Sequence, residues 1–396
     1  MTEPAPIPDL SVIIPTRNRA GSLGRLLHAL RHQEPCDRQY EILVVDNGST
    51  DETAAVARGA AKAAGAAPVR YLYEPRRGVS YARNLGAAHA RADLLAFLDD
   101  DGIPNPEWIR SVWQAFADYP EADCIGGRLL PHWAAPPPSW MSPAHWGAVA
   151  LQDRPAAMWL GRDSAASCLL TANFACRRDA FEQVGGFSPR FPRCQDREFE
   201  LRLWAAGRRG LFLPSLDVIV DVPADRLTKR YHRRWQTTTG HYHAVMRYRD
   251  RVDAGGRLVP ENPSSRYLLG TPLFLYRDAL SHAIGWTRAL VARDPATRFF
   301  HESRLYYLRS FFTTRCRSWL ASANARPRRT TTPLRLRHGK LVDEDVEELS
   351  RRVNESSRSA RAISHAGFTP LCPPPRSPGD PSTSSQRSAT AGPMAP

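Results

Sequence analysis

No two cysteines of this chain stand in a CxxC arrangement. The seven that occur, at positions 36, 124, 168, 176, 194, 316 and 372, are scattered singly. That pattern supplies neither a zinc knuckle nor a disulfide framework, and a reduced, cytosolic compartment is the expectation. Long apolar runs are missing too: no stretch reaches the roughly 18 uncharged apolar residues of a transmembrane helix. The opening "MTEPAPIPDLSVIIP" sets prolines and acidic residues before a short apolar run, unlike a signal peptide. The nearest approach to a span, "TPLFLYRDALSHAIGWTRALVARD" at 271–294, is interrupted by Arg277, Asp278 and Arg288. It reads as an amphipathic helix packed on the body or touching a membrane surface, so peripheral contact with the inner membrane face is expected. Acidic residues are in deficit, 40 Asp and Glu against 54 Lys and Arg, and the net charge of +14 favours anionic partners such as nucleotides or lipid headgroups. No recognised module accompanies that charge, so no nucleic-acid partner is expected. Internal repeats are absent.

What is present is an alternation. Of 396 residues, 42% are hydrophobic, enough for a large core and more than one compact unit. "LSVIIPT" is followed by the helical "AGSLGRLLHALRHQ", "YEILVVDNGS" by "TDETAAVARGAAKAA", "VRYLYEP" by "GVSYARNLGAAHAR", and then comes "DLLAFLDDD". Continuous apolar strands alternating with helices predict parallel βαβ units, an α/β fold with a mainly parallel sheet flanked by helices. Ligands of such sheets sit at the carboxyl ends of the strands. The polar clusters "PTRNR", "DNGSTD", "EPRRG" and "DDD" all fall there. The Pro- and Trp-rich 131–165 reads as a long crossing loop. Sequence resuming at "CLLTANFACRRDAF" continues the same domain to about 235. Residues 236–321 read as a helical extension, and 322–396 as a mostly disordered, basic, Pro- and Ser-rich tail.

Three acidic sites stand out. Asp99, Asp100 and Asp101 end a buried strand, where repulsion between neighbours gives folding little reason to place them. Oxygen ligands this close suit Mg²⁺ or Mn²⁺, although a polar turn is the bland alternative. Asp46, at the end of the second strand, can accept an imide N–H of a base, or can serve the turn before the next helix. Asp196 and Glu198 in "QDREFELRL" can act as a base in a partly desolvated cleft or cap a helix whose apolar face holds Phe199, Leu201 and Leu203.

"SVIIPTRNR", "ILVVDNGSTDET", "GVSYARNLG", "FLDDD" and "GGFSPRFPRCQDREFELRLWAAG" occur in the order and spacing of the family 2 glycosyltransferases, which have the GT-A fold. The chain resembles that family over about residues 10–235, assigned as the glycosyltransferase domain 1–235. The resemblance implies an inverting transfer from a nucleotide sugar, with a UDP sugar the expected donor, to a glycan, lipid-linked saccharide or small molecule, as in polysaccharide biosynthesis. It implies Asp196 as base, Asp101 with Asp99 on a Mn²⁺ or Mg²⁺ ion, and Asp99 and Asp100 toward the ribose and the metal shell. Asp46 would bind the base, with Pro15, Thr16 and Arg17 closing around it and Arg83 supporting the nucleotide. From the residues themselves, Asn173 and Glu198 are read as donor or acceptor contacts, Asn173 toward donor-sugar hydroxyls, and Gly185 and Gly186 as letting backbone approach the acceptor, with a β-turn before a helix as the alternative. Trp133, Trp140 and Trp146 are either sugar platforms or packing. Two departures are visible: Gln195 replaces a common Glu, and Asp221 stands where a His is frequent, with His232 and His241 too isolated to name as substitutes. The rival readings are a sugar nucleotidyltransferase, for which "PTRNRAGSL" makes a poor triphosphate loop, and a non-catalytic nucleotide binder of the same fold.

Overall fold

A computed structural model describes residues 7–62, 67–260 and 266–324. The expected disordered tail lies, past Asn324, outside the described residues. The first half alternates as its apolar periodicity demands. β1 (Leu10–Thr16), α1 (Ala20–Arg31), β2 (Tyr40–Asp46), α2 (Thr53–Lys62), β3 (Val69–Tyr73), α3 (Val79–His89) and β4 (Leu94–Leu98) follow in order. Every residue of β1 and β2 is buried, because helices cover both faces of the sheet. Then come β5 (Gly102–Pro104), α4 (Trp108–Asp118), β6 (Cys124–Trp133), β7 (Met158–Leu160), β8 (Asn173–Arg177), α5 (Arg178–Gln183), α6 (Gln195–Ala205) and β9 (Gly210–Val222). The expected loop at 131–165 is thus partly structured: β6 runs to Trp133, and a 3₁₀ segment, Pro143–Val149, precedes β7.

The sheet order is β3-β2-β1-β4-β8-β6-β9-β5, with β7 also on β9. The β1–β2, β2–β3, β1–β4 and β6–β9 ladders are parallel, while β8 pairs antiparallel with both β4 and β6. Register does the positioning. Thr16 lies opposite Asp46, and Ile13 lies opposite Phe97, so the carboxylates that follow Leu98 come level with the end of β1.

Side chains alternate between two apolar layers along β1. Val12 and Ile14 join Leu23, Leu26 and Trp108 in one layer, and Ile13 joins Phe97, Phe174, Phe187 and Phe199 in the other. In the second layer Phe97 meets Phe187 edge-on at 5.3 Å, and Phe187 lies 4.6 Å from Phe199 of α6. Each such ring contributes roughly 1.5–3 kcal/mol on burial, and together they clamp the start of α6 over β4.

The helical region is formed by α7 (Lys229–Val245), inside which the expected 235/236 boundary falls, α8 (Tyr248–Arg251), the hairpin β10 (Tyr267–Leu268) with β11 (Thr271–Pro272), α9 (Leu273–Val291) and α10 (Pro295–Asn324), which runs past the expected end at 321. α10 begins with Pro at its first position and with Asp294 Oδ1 accepting the Ala296 and Thr297 N–H groups at 3.0 Å, a combination suited to a helix start. α7 and α10 touch backbone to backbone: a Cβ on Gly240 would fall 2.2 Å from the Tyr307 carbonyl oxygen. The described residues belong to one compact unit, and Met246, Tyr248 and Val252 join the second apolar layer of the sheet.

Candidate active site

Hydrogen bonds tie together the loops after β1, β2 and β4, and Asp99 of the last of these lines a cleft with Arg83 and the start of α6. Thr16 Oγ1 donates to Asp100 Oδ2 at 2.7 Å, tying the first loop to the acidic turn. The Asn18 N–H donates to Ser49 Oγ at 3.0 Å, and Thr50 N–H donates to Asn18 Oδ1 at 2.8 Å, tying the first loop to the second. Pro15 is buried beneath this corner and Arg17 stands exposed on it. Asp46 is 1% exposed, with Oδ1 accepting from Ser49 N–H at 2.8 Å and Oδ2 from the Tyr71 hydroxyl at 2.9 Å. It therefore serves the turn, while each oxygen keeps a second lone pair.

Asp99 Oδ1 accepts from Arg83 Nη2 at 2.7 Å. Arg83 is 2% exposed, and its Nε and Nη1 have no hydrogen-bond partner. A buried guanidinium with donors unmet is costly unless an anion completes it. Burial, then the charges of Asp101 and Asp99, pushes the Asp100 carboxyl up to about 6. Burial and Asp99 raise Asp101 likewise, against Arg226 and Arg19, whose guanidinium nitrogens lie 3.6 and 3.5 Å from Asp101 Oδ2. A divalent cation would relieve this repulsion. Among the described residues no three His, Cys, Asp or Glu gather as a metal cage. Two carboxylates nonetheless fit Mg²⁺ or Mn²⁺, which fill their shells with water and diphosphate oxygens.

Asp196 is the second residue of α6, behind Cys194, whose backbone is left-handed at φ 60°. Its Oδ1 accepts the Arg197 N–H at 2.8 Å. The side chain lines a cleft of about 340 Å³ together with Arg83 and Asp99, so the acidic turn and the acidic helix meet in one space. Burial raises the Asp196 carboxyl above its ordinary range despite the opposing Arg197 and Arg83 charges.

Several expected site residues prove to be structural. Asn173 is 2% exposed, accepts from Trp108 Nε1 at 3.0 Å and donates to the Arg128 and Leu216 carbonyls at 3.0 and 2.8 Å. Its amide joins α4, β6 and β9 and has no donor left for a sugar. Both oxygens of Glu198 accept from Arg202, one turn on, at 2.8 Å, and Arg202 also donates to the Gly186 carbonyl. Asn84 Nδ2 donates to the Phe187 carbonyl and Asn84 Oδ1 accepts the Phe187 N–H, so the left-handed Gly185 and Gly186 form a turn pinned from two sides.

Asp221 does not join the acidic turn through its side chain. Burial works to raise it, but His132 Nδ1 at 2.9 Å and Arg25 prevail and hold it below the ordinary carboxylate range. His232 is buried against Trp140 and Phe299, where burial drives its ring down to about 4, and His241 Nδ1 lies 3.0 Å from Thr314 Oγ1. Trp140 belongs to that aromatic cluster, and Trp133 and Trp146 pack on the main core.

Sequence reasoning missed the wall that α7 contributes. Trp235, Thr238, Thr239 and His243 line the cleft, as do Arg193 and Cys168. The signal was present as spacing, since 235, 238, 239 and 243 share one helical face.

Residues 11–185 match the family model described as "Glycosyl transferase family 2". A validoxylamine A glucosyltransferase of Streptomyces hygroscopicus subsp. jinggangensis is 39% identical over 123 residues, 31% of this chain and 28% of that protein. A pre-mycofactocin glycosyltransferase of Mycobacterium tuberculosis is 30% identical over 207 residues, 52% of this chain and 41% of that protein. The chain thus spans less than half the length of these two curated relatives. Among solved structures, a mannosyltransferase of Pyrobaculum calidifontis in complex with GDP-Man and Mn²⁺ is 18% identical, covering 88% of this chain and 81% of that one at a TM-score of 0.47. Over residues 11–185, the span of that match, the chain is similar to glycosyltransferase family 2.

Proposed function

We propose that the chain transfers a sugar from a nucleotide-sugar donor, with a UDP sugar the expected one, to an acceptor hydroxyl, with inversion at the anomeric carbon. The observation that carries this reading is the single cleft holding Asp196, Asp99 and the incompletely partnered Arg83. An anionic leaving group would complete Arg83, and a carboxylate raised by burial stands ready as base. In the transfer, the Asp196 carboxylate takes the acceptor proton as that oxygen bonds to C1. The bond from C1 to the diphosphate breaks on the opposite face, and its electron pair leaves with the nucleoside diphosphate. Arg83 meets part of the charge that develops there. Asp101 with Asp99 would hold Mn²⁺ or Mg²⁺, whose chemistry when bound is to neutralise the leaving diphosphate. Asp46, Pro15, Thr16 and Arg17 would frame the base. The acceptor class is a glycan, a lipid-linked saccharide or a small molecule, and α7 supplies the wall it would meet. The domain assignment 1–235 for transfer and 236–321 for the extension belongs to the same proposal, as does action on the cytoplasmic side.

The test is a pH profile joined to product stereochemistry. Asp196 must be ionised to act, and its folded pKa is raised. Activity is therefore full above that pKa and lost as pH falls through it, at a pH above the roughly 3.9 of an ordinary aspartate. Burial pushes the Asp100 carboxyl up to about 6 as well, so the profile is read at saturating donor and metal, whose bound charge would hold the acidic turn ionised. The limb that survives in kcat belongs to Asp196. Proton NMR of the first product should show the inverted anomer. A retained anomer, or a kcat flat with pH down to the ordinary carboxylate range, contradicts the reading.

A further inference from the structure

We infer that the outer face of the helical extension docks on an anionic phospholipid bilayer. The hairpin β10–β11 presents Tyr267, Leu268 and Leu269 to solvent, each more than two-fifths exposed. Leu269 sits at φ 49°, in the left-handed region that a leucine enters only at a cost. Folding gains nothing from an apolar, strained residue at an exposed tip, whereas an apolar phase would reward it. The tip is rigidly mounted. Leu273 N–H donates to the Arg266 carbonyl at 2.8 Å and the Tyr276 hydroxyl to the Leu268 carbonyl at 3.1 Å. A Cβ on Gly270 would fall 2.9 Å from Cβ of Trp319, itself exposed.

From the hairpin, α9 continues the surface. Leu273, Leu280, Ile284 and Val291 are all exposed, and their spacing places them on one face of the helix. Arg277 stands on that face and belongs to two hollows at once. One, of about 580 Å³, it shares with Arg249 and Arg266 and with two carboxylates, Asp253 and Asp278; the other, of about 690 Å³, with Leu280, Ile284 and Arg288. Arg249 Nε is buried there without a hydrogen-bond partner.

Charge selects the occupant. Between residues 266 and 324 stand nine arginines and only three carboxylates, and each of those is engaged: Asp278 with Arg249, Glu302 with Arg233, and Asp294 capping α10. An apolar stripe among surplus arginines matches a leaflet that offers acyl chains behind phosphate. A second copy of this chain would instead bring like charges together. Among the described residues no helix is long and apolar enough to cross a membrane, so the contact is peripheral. The segment around Cys168 has Ala166 in the hollow of Arg249 and Arg266 and Cys168 in the proposed active-site cleft, so bilayer contact would border the proposed acceptor entrance. The docking inference itself does not depend on transfer activity.

Flotation of the full chain tests it, with vesicles of phosphatidylcholine alone and of phosphatidylcholine with phosphatidylglycerol in equal parts. Binding is expected only to the anionic vesicles, weakening with salt. Leu269→Asn suits the left-handed backbone and removes the apolar tip, so partitioning should fall on the order of tenfold with an unchanged or raised melting temperature. Arg277→Gln and Arg288→Gln should each cost about fivefold. The inference is overturned if the full chain ignores anionic vesicles at low salt, or if all three variants bind like the parent. It is overturned equally if light scattering shows a lipid-free dimer that Leu269→Asn dissociates, which makes this face a self-interface.

Discussion

Asp196→Asn lowers transfer by roughly 10²- to 10⁴-fold while leaving donor affinity nearly unchanged. The substitution preserves shape, and an amide oxygen can still accept the Arg197 N–H that Oδ1 accepts now. What it removes is the capacity to take a proton from the acceptor. Stability should not suffer: the folded environment raises the Asp196 pKa, so it disfavours the charged form, and a neutral side chain escapes that penalty. Turnover at saturating donor and metal, set beside calorimetric donor affinity, separates chemistry from binding. Near-normal turnover would remove Asp196 from the base role. Glu198 would not be the natural successor, because Arg202 holds both of its oxygens.

Asp101→Asn gives a different pattern, on the order of 10³-fold lower turnover together with loss of the Mn²⁺-dependent part of nucleotide binding. Asp101 is the acidic-turn residue that lies between two arginines, Arg19 and Arg226, and its carboxyl is raised by burial and by Asp99. Removing its charge relieves repulsion in the protein without metal, so melting should stay constant or rise. The metal, however, loses an anionic ligand that water replaces poorly. Titrations of UDP with and without Mn²⁺ make the check. Equal affinities in the parent protein would remove the metal from the account, and an Asn variant that keeps the enhancement would move the ligand elsewhere in the turn.

The first half of the fold was legible because its signals are local. Seven-residue apolar strands ending in polar clusters announce a parallel sheet and the edge where a ligand sits, and the register that brings Asp99–Asp101 level with Thr16 follows from that pattern. The position of Asp196 in the first turn of a helix was legible in "QDREFELRL", and its role as base was an implication of the family resemblance. What misled was chemistry that looks the same whether it serves a ligand or the fold. An asparagine after a turn reads as a sugar contact until Trp108 Nε1 and two carbonyls are found to occupy its amide. Glu198 reads as a second acid until Arg202, four residues on, takes both oxygens. The α7 wall was missed because its placement depends on a distant contact: Gly240 must accept the Tyr307 backbone before Trp235 and Thr239 can face the cleft. Segment 271–294 was expected as one helix of mixed character; the helix runs Leu273–Val291 after the short strand Thr271–Pro272, and only the structure separates its inward Leu275 and Ala289 from its exposed leucines.

The central claim is that this cleft breaks a nucleotide sugar at the anomeric carbon using Asp196. The most direct measurement is release of nucleoside diphosphate by the purified full chain, across a panel of UDP, GDP and TDP sugars with Mn²⁺, for the parent protein and Asp196→Asn side by side. The account predicts diphosphate release from at least one donor, highest within the UDP set, and a fall of at least about 10²-fold in the variant. Release that is identical in the two proteins, or UDP that binds while no donor in the panel is consumed with acceptors of all three classes supplied, would contradict it.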